Sequence, residues 1–141
     1  SGHMFFADEY YGFDDAFYAA ARLLRILSNS KKSLSQLLSD LPRYPVTTET
    51  RVACADVDKF RVVRELTERF RSKNEVIEID GARVLFSGGW GLIRPSNTQP
   101  AIVARCEGRT EKELKKICGR IKEGLLSFSE VAQFDWVYAK D

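Results

Sequence analysis

Four β-rich runs follow one another between Val76 and Glu107, and this succession restricts the fold more than any other feature of the chain. The first two runs flank Asp80-Gly81, a pair that predicts a two-residue type I′ hairpin turn. Gly88-Gly89 predicts a second turn, and a short loop from Arg94 to Pro100 leads into the last run. Strands joined by such short connections pair antiparallel, so we expect a mainly antiparallel sheet.

One further strand and two helices surround these four runs. The strand is predicted over residues 48–54, and Asp56 begins a helix with an apolar face formed by Phe60, Val63, Leu66 or Thr67, and Phe70. Thr110 and Glu113 have the spacing of a capping box and start a helix whose inward face is Leu114, Ile117, Ile121 and Leu125. The order β-α-β4-α predicts an α+β two-layer domain with both helices on one face of the sheet.

An N-terminal helical segment precedes this domain. Apolar residues recur at helical spacing behind Asp14 and Asp15, which suit the first turn of a helix. Ser33 caps a shorter leucine-rich helix that Pro42 helps to end. We therefore divide the chain into a helical segment, residues 1–45, and a compact domain, residues 46–141. Residues 128–136 either dock on the sheet or form a short helix.

Composition excludes several classes of function. The 141 residues carry a net charge of +2 with acids and bases interspersed, which favours neither nucleic acid nor a membrane as partner. The odd number of cysteines and the single histidine, His3, provide neither a zinc set nor a local Cys/His or Ser/His/Asp nucleophile. Buried thiols in a reducing cytoplasm are the interpretation that remains.

The loop from Arg94 to Pro100 has the chemistry of a phosphate cradle. Arg94 offers a planar fork that matches phosphate oxygens, and Ser96, Asn97 and Thr98 add two hydroxyls and an amide on short stems. The prolines stiffen the loop, which lowers the entropy lost on binding. The sequence therefore predicts a phosphate site at one end of the sheet.

Residues 80–100 resemble the C-terminal domain of the α-D-phosphohexomutases, and the phosphomannomutase/phosphoglucomutase branch is the most similar. The resemblance rests on Asp80-Gly81-Ala82-Arg83-Val84 and on Gly89-Trp90-Gly91-Leu92-Ile93-Arg94-Pro95-Ser96-Asn97-Thr98-Gln99-Pro100. It implies that Arg94, Ser96, Asn97 and Thr98 hold the phosphate of the sugar that is not being transferred. It also implies the same β-α-β4-α fold, which is similar to a half-domain of the TATA-binding protein. Gln99 stands where many members carry Glu.

The first residues resemble the end of the family's sugar-recognition loop, Gly-Glu-x-Ser-Gly-His. Ser1-Gly2-His3 matches its second half, so the resemblance implies that Ser1 and His3 bind sugar, although the glutamate of the motif is absent. Ser1 to Met4 also match an expression-vector remnant, which is the alternative interpretation.

Two catalytic loops of the family do not occur in these residues: the loop with the phosphorylated serine and the loop that holds Mg²⁺. The resemblance therefore implies no catalytic residue and no cofactor in this chain, with Mg²⁺ bound elsewhere in a full-length parent. We expect no mutase activity from the chain alone, and its partners would be a phosphosugar and the remaining domains of the parent. A stand-alone binding module for sugar phosphates or other anions is one alternative. A nucleic-acid module using the basic residues 112–122 is the less favoured one.

Overall fold

The computed structural model describes residues 2–139, and its contacts divide the chain into two units between Pro42 and Arg43. Ser1, for which the sequence predicts a sugar contact, lies outside the described residues. Each unit is described by itself.

The N-terminal unit contains two helices, α1 (Ala16–Ser28) and α2 (Leu34–Leu37). Asp15 caps α1 by accepting the N–H of Tyr18 at 2.9 Å, so this carboxylate precedes the first turn instead of lying within it. The same N–H and the hydroxyl of Tyr10 hold the pKa of Asp15 below its usual value. Ser33 caps α2 in a capping box with Gln36, as predicted for Ser33 from the sequence. Both helix starts therefore follow from side chains that satisfy free backbone N–H groups.

Helix α1 buries none of its residues in the described part of the chain. Its apolar side chains are largely exposed; the most exposed are Phe17, Leu24 and Ile26. The helical spacing predicted from the sequence is confirmed, but most of the large apolar side chains that it places on α1 are exposed.

The C-terminal unit is built on a five-stranded antiparallel sheet with the order β1-β5-β4-β3-β2. The elements are β1 (Thr50–Ala53), α3 (Asp56–Arg71), β2 (Val76–Ile77), β3 (Ala82–Phe86), β4 (Gly89–Pro95), β5 (Ala101–Gly108) and α4 (Glu111–Leu126). Thr110 caps α4 by accepting the N–H of Glu113, whose carboxylate accepts the Thr110 hydroxyl in return. The predicted α+β class and element order are confirmed.

Both helices cover the same face of the sheet. One apolar cluster joins residues from α3 and α4, among them Leu66 and Ile121, with Ile93 and Ile102 of the sheet. The predicted inward residues of α4 are all buried, and Cys118 joins them. In α3 the prediction for Phe60 is wrong, since its side chain is 54% exposed. Val63, Leu66 and Thr67 are buried as predicted, Phe70 packs partly buried against the core, and Lys59 and Val62 complete the buried face.

The predicted type I′ turn at Asp80-Gly81 is also wrong. Strand β2 ends at Ile77 and β3 begins at Ala82, so the connection has four residues instead of two. A type I′ turn needs positive φ at both central residues, whereas only Gly81 has it, at +91°. The tight two-residue connection is the next one, where Phe86 pairs with Gly89.

The chain on either side of the sheet also belongs to the C-terminal unit. Thr47 is fully buried, and it exchanges hydrogen bonds with the backbone of Cys106. Of the two alternatives for residues 128–136, docking is the one observed: Phe128 and Val131 lie in the core, and the indole N–H of Trp136 donates to the Cys118 carbonyl at 3.1 Å. None of the helices in residues 2–139 has the length and apolar character that crossing a membrane requires.

We predict that the three cysteines of the native chain resist a thiol reagent such as DTNB. Cys54, Cys106 and Cys118 are at most 3% exposed. A hydrogen bond with Cys118 and burial raise the pKa of Cys106, and burial raises the pKa of Cys54, so these two thiols form little thiolate at neutral pH. The hydrogen bond with Cys106 lowers the pKa of Cys118, so this thiol is protected by its burial alone. Labelling within minutes in buffer, at the rate seen in urea, would contradict the packed core.

We also predict that residues 43–141 fold cooperatively without the N-terminal unit. The sheet, both of its helices and the docked tail lie within this range, and Phe128→Ala should lower its stability by about 3 kcal/mol because a buried ring is lost. Thermal unfolding followed by circular dichroism tests both statements. A broad, non-cooperative transition for residues 43–141 would show that the first helices belong to the core.

Candidate functional site

The predicted phosphate loop lies where the sequence places it, between two adjacent strands at one end of the sheet. Pro95, the last residue of β4, pairs with Ile102 of β5, and the N–H of Ser96 donates to the carbonyl of Ala101 at 2.9 Å. Residues 96–100 therefore form a short loop on a paired frame. The strand pairing restricts the positions from which its side chains can reach a ligand.

Hydrogen bonds inside the loop bend it into a compact turn. The N–H of Thr98 donates to Ser96 Oγ at 3.4 Å, and the N–H of Ala101 donates to the Gln99 carbonyl at 2.8 Å. Ser96 is buried by this arrangement, whereas Asn97 and Thr98 are exposed. Among the contacts of residues 2–139, the N–H groups of Asn97 and Gln99 have no protein acceptor. The tip of the loop thus presents backbone and side-chain donors to solvent.

Arg94 lies in β4, two residues before Ser96 at the start of the loop, and two carboxylates contact its guanidinium. Its Nη1 donates to Asp80 Oδ2 at 3.1 Å, and its Nη2 lies 3.9 Å from Glu49 Oε2. A guanidinium has five N–H donors, and the Asp80 bond is its one side-chain hydrogen bond within the described residues. Arg94 therefore keeps donors for a further anion.

Gly81 brings Asp80 to this position. A Cβ on Gly81 would lie 2.4 Å from the Ile93 carbonyl oxygen and 2.5 Å from the Cβ of Arg94. The β2–β3 loop can therefore approach β4 this closely only because Gly81 has no side chain.

The face of the sheet opposite the helices is rich in guanidinium groups. In the strand register, Arg51 and Arg94 both pair with Val103. Arg83 and Arg105 both pair with Leu92. Leu92 and Arg94 are two residues apart in β4, so all four arginines project from the same face. Glu49, Asp80 and Glu107 reduce the cationic character of this face locally, and residues 96–100 of the loop carry no charge.

Two cationic side chains that the sequence analysis did not single out hold the end of the loop. Lys59 Nζ donates to the Gln99 carbonyl at 2.9 Å and to Asp56 Oδ1 at 2.5 Å, and the side chain of Lys59 is only 4% exposed. Arg51 Nη1 donates to the side-chain oxygen of Gln99 at 2.5 Å. The signal for Lys59 was its position three, four and seven residues before Val62, Val63 and Leu66, which places it on the apolar face of α3.

His3, the second residue predicted to bind sugar, lies in the N-terminal unit. Its Nδ1 is 2.6 Å from Asp14 Oδ2, and both side chains are about half exposed. They line an open cavity of about 730 Å³ together with apolar residues of α1 and the preceding segment. His3 therefore has an anionic partner and access to solvent.

Residues 2–139 contain no group of three or more His, Cys, Asp and Glu side chains that could hold a metal ion. The Mg²⁺ that the resemblance implies for a parent protein thus has no matching donor set in the described part of this chain.

Comparison with known families identifies these two units. The model described as "Phosphoglucomutase/phosphomannomutase, C-terminal domain" matches residues 49–124, more than half of the chain. The chain belongs to the phosphoglucomutase/phosphomannomutase family. A second model of this family, its "alpha/beta/alpha domain III", matches residues 1–44. The resemblance stated from the sequence is confirmed.

Relatives agree with this assignment. A phosphomannomutase/phosphoglucomutase of Pseudomonas syringae pv. tomato is 41% identical over 120 residues, which cover 84% of this chain and 26% of that protein. A phosphoglucomutase of Neisseria gonorrhoeae is 42% identical over 125 residues, 86% of this chain and 27% of that protein. A crystal structure of a family protein from Burkholderia thailandensis superimposes with a TM-score of 0.73 at 36% identity, covering 89% of this chain and 26% of the other. The chain spans about a quarter of the length of these relatives.

We predict that Gly81→Ala destabilises the chain by about 2–4 kcal/mol, because a side chain at this positive φ is strained and meets the backbone of β4. Gly119→Ala is the matched control: its Cβ meets no atom within 4 Å, and alanine in a helix interior should stabilise by about 0.5–1 kcal/mol. Urea unfolding of both variants measures the two effects. Equal effects at the two sites would contradict the close packing of the Asp80 loop on β4.

Proposed function

We propose that the C-terminal unit holds the non-reacting phosphate of a phosphosugar through Arg94, Ser96, Asn97 and Thr98. The main support for this proposal is the group of unused hydrogen-bond donors at the tip of the β4–β5 loop. The N–H groups of Asn97 and Gln99 have no acceptor among residues 2–139, and the side chains of Asn97 and Thr98 are exposed beside them. The N–H of Thr98 between them donates to Ser96, so the loop offers an anion two separate backbone donors together with these side chains.

Charge favours the same ligand. Arg94 adjoins the loop on a sheet face that carries three further arginines, so an approaching dianion gains from both the field and the guanidinium fork. Asp80 and Glu49 keep Arg94 oriented in the absence of ligand, and both carboxylates are partly exposed. A phosphate would replace these weaker solvent-screened contacts with a bidentate, charge-assisted pair.

Ser96 has a different part in this proposal from Asn97 and Thr98. Its buried oxygen accepts the N–H of Thr98 and thereby shapes the turn, while its hydroxyl proton remains a donor. Asn97 and Thr98 reach the ligand from the exposed tip.

For the parent protein we propose a phosphohexomutase, an isomerase that interconverts hexose 1-phosphate and hexose 6-phosphate. Two relatives bear the names phosphomannomutase/phosphoglucomutase and phosphoglucomutase. While one phosphate reacts, binding energy from the other would orient the sugar. The reacting serine and Mg²⁺ would lie in the rest of the parent, and His3, with Ser1, would contact the sugar.

The remaining domains of the parent are the proposed partners of this chain. The exposed apolar residues of α1, which include Phe17 and Leu24, are suited to packing against them. Three free, buried cysteines favour a cytoplasmic protein.

We predict that inorganic phosphate, titrated into the ¹⁵N-labelled chain, shifts the amide signals of residues 94–99 and few others. The affinity should be millimolar or weaker, because a single small anion makes few contacts. Arg94→Lys should weaken binding about fivefold despite its unchanged charge, since an ammonium cannot form the bidentate fork. Gln99→Ala should have little effect, because it keeps every backbone group of the loop.

Shifts confined to α4 with the loop unchanged would refute the proposal. They would indicate instead that anions bind nonspecifically to the basic surface of α4, formed by Lys112, Lys115, Lys116, Arg120 and Lys122.

A further inference from the structure

Lys59 is the most deeply buried cationic side chain that contacts the loop. Its side chain is 4% exposed, and its two hydrogen-bond partners are a carboxylate of its own helix and a backbone carbonyl of the loop. Burying an ammonium costs several kcal/mol unless charge and hydrogen bonds compensate it. Asp56 compensates the charge, which leaves the contact with Gln99 as a link between α3 and the loop.

The orientation of the Gln99 carbonyl matters for an anion site. Backbone N–H groups attract an anion, whereas a carbonyl oxygen carries partial negative charge and repels it. In this chain the Gln99 oxygen accepts two hydrogen bonds, from Lys59 Nζ and from the N–H of Ala101. Without Lys59, the Gln99 carbonyl would accept only the hydrogen bond from the N–H of Ala101, which closes a three-residue turn. This single bond would constrain the orientation of the carbonyl only weakly.

We propose that Lys59 is a positioning residue of the phosphate loop: its buried ammonium holds the Gln99 carbonyl away from the anion, so the loop has its binding conformation before phosphate arrives. This inference rests on the function proposed above. Such preorganisation raises affinity because the ordering of the loop takes place at folding instead of at binding. Lys59 acts through the backbone of Gln99 and does not itself touch the ligand.

The other side chain on the loop end has a different role. Arg51 reaches the side-chain amide of Gln99 at the exposed surface, and exposed contacts of this kind contribute little. Gln99→Ala therefore removes the Arg51 contact and keeps the carbonyl that Lys59 holds. Gln99→Ala therefore tests the contact with Arg51 separately from the contact with Lys59.

The test compares Lys59→Met with Lys73→Met in the full 141-residue chain. Methionine keeps an unbranched side chain of similar length and removes the ammonium. Lys73 lies exposed just beyond the other end of α3, roughly 21 Å away at 1.5 Å per residue, so its substitution makes the same charge change away from the loop. Inorganic phosphate is the probe, and amide shifts of residues 94–99 give its Kd well below the thermal midpoint of each variant.

We expect Lys59→Met to weaken phosphate binding about fivefold, the effect of one well-placed hydrogen bond, and to shift the amide signals of Thr98 and Ala101 before phosphate is added. Lys73→Met and Gln99→Ala should leave the Kd within about twofold of the parent chain. A purely structural role for Lys59 would lower the thermal midpoint and leave the Kd of the folded protein unchanged. Kd is therefore the deciding measurement.

The outcomes separate this inference from the proposed function. Phosphate binding at the loop of the parent chain, with the same Kd in Lys59→Met, would overturn the role of Lys59 and leave the phosphate site standing. Absence of loop shifts in the parent chain would overturn both.

A second measurement applies if Lys59→Met does not fold. In the unsubstituted chain the ammonium of Lys59 should give a slowly exchanging ¹H–¹⁵N signal that is visible without phosphate and changes little when phosphate is added. A signal that appears only with phosphate would show that the loop is ordered by its ligand, contrary to the proposal.

Discussion

Pairing between β4 and β5 is the interaction on which the rest of the C-terminal unit depends. The two strands pair continuously from Gly89 and Gly108 at one end to Pro95 and Ile102 at the other. Strand β1 attaches to β5 and β3 attaches to β4, β2 in turn pairs with β3, and α3 and α4 cover one face. The loop that leaves its far end is therefore attached to the best-supported backbone of the domain, which is a favourable base for a preorganised anion site.

The two faces of this sheet are chemically opposite, and the alternation of strand residues produces both of them. Ile93 and Ile102 point to the helices, while their neighbours Arg94 and Val103 belong to the open face. The alternation of side chains along the same strands thus gives the sheet a packed core on one face and a guanidinium-rich surface on the other. The candidate phosphate site lies where this surface meets the loop, so stability and function use different sides of the same strands.

The sequence was most informative where neighbouring residues determine the structure. The caps at Ser33 and Thr110, the start of α3 and the apolar face of α4 depend on side chains within one or two helical turns, and all are confirmed. Errors arose where contacts distant in sequence decide. Phe60 has the helical spacing of a core residue relative to Val63, but Phe60 is exposed and Val62 is buried in addition to Val63. Asp80-Gly81 has the composition of a two-residue turn, yet the packing of the loop on β4 imposes a longer one.

The family, the fold class and the residues of the candidate loop were determined by the sequence alone, because they depend on a continuous motif and on local periodicity. Only the tertiary structure decided what surrounds that motif. It brought Asp80 and Glu49 to Arg94, and Lys59 to the carbonyl of Gln99, across 14, 45 and 40 positions of the chain respectively. No local pattern specifies such pairs, since each exists only when strands and a helix distant in sequence pack together around one core.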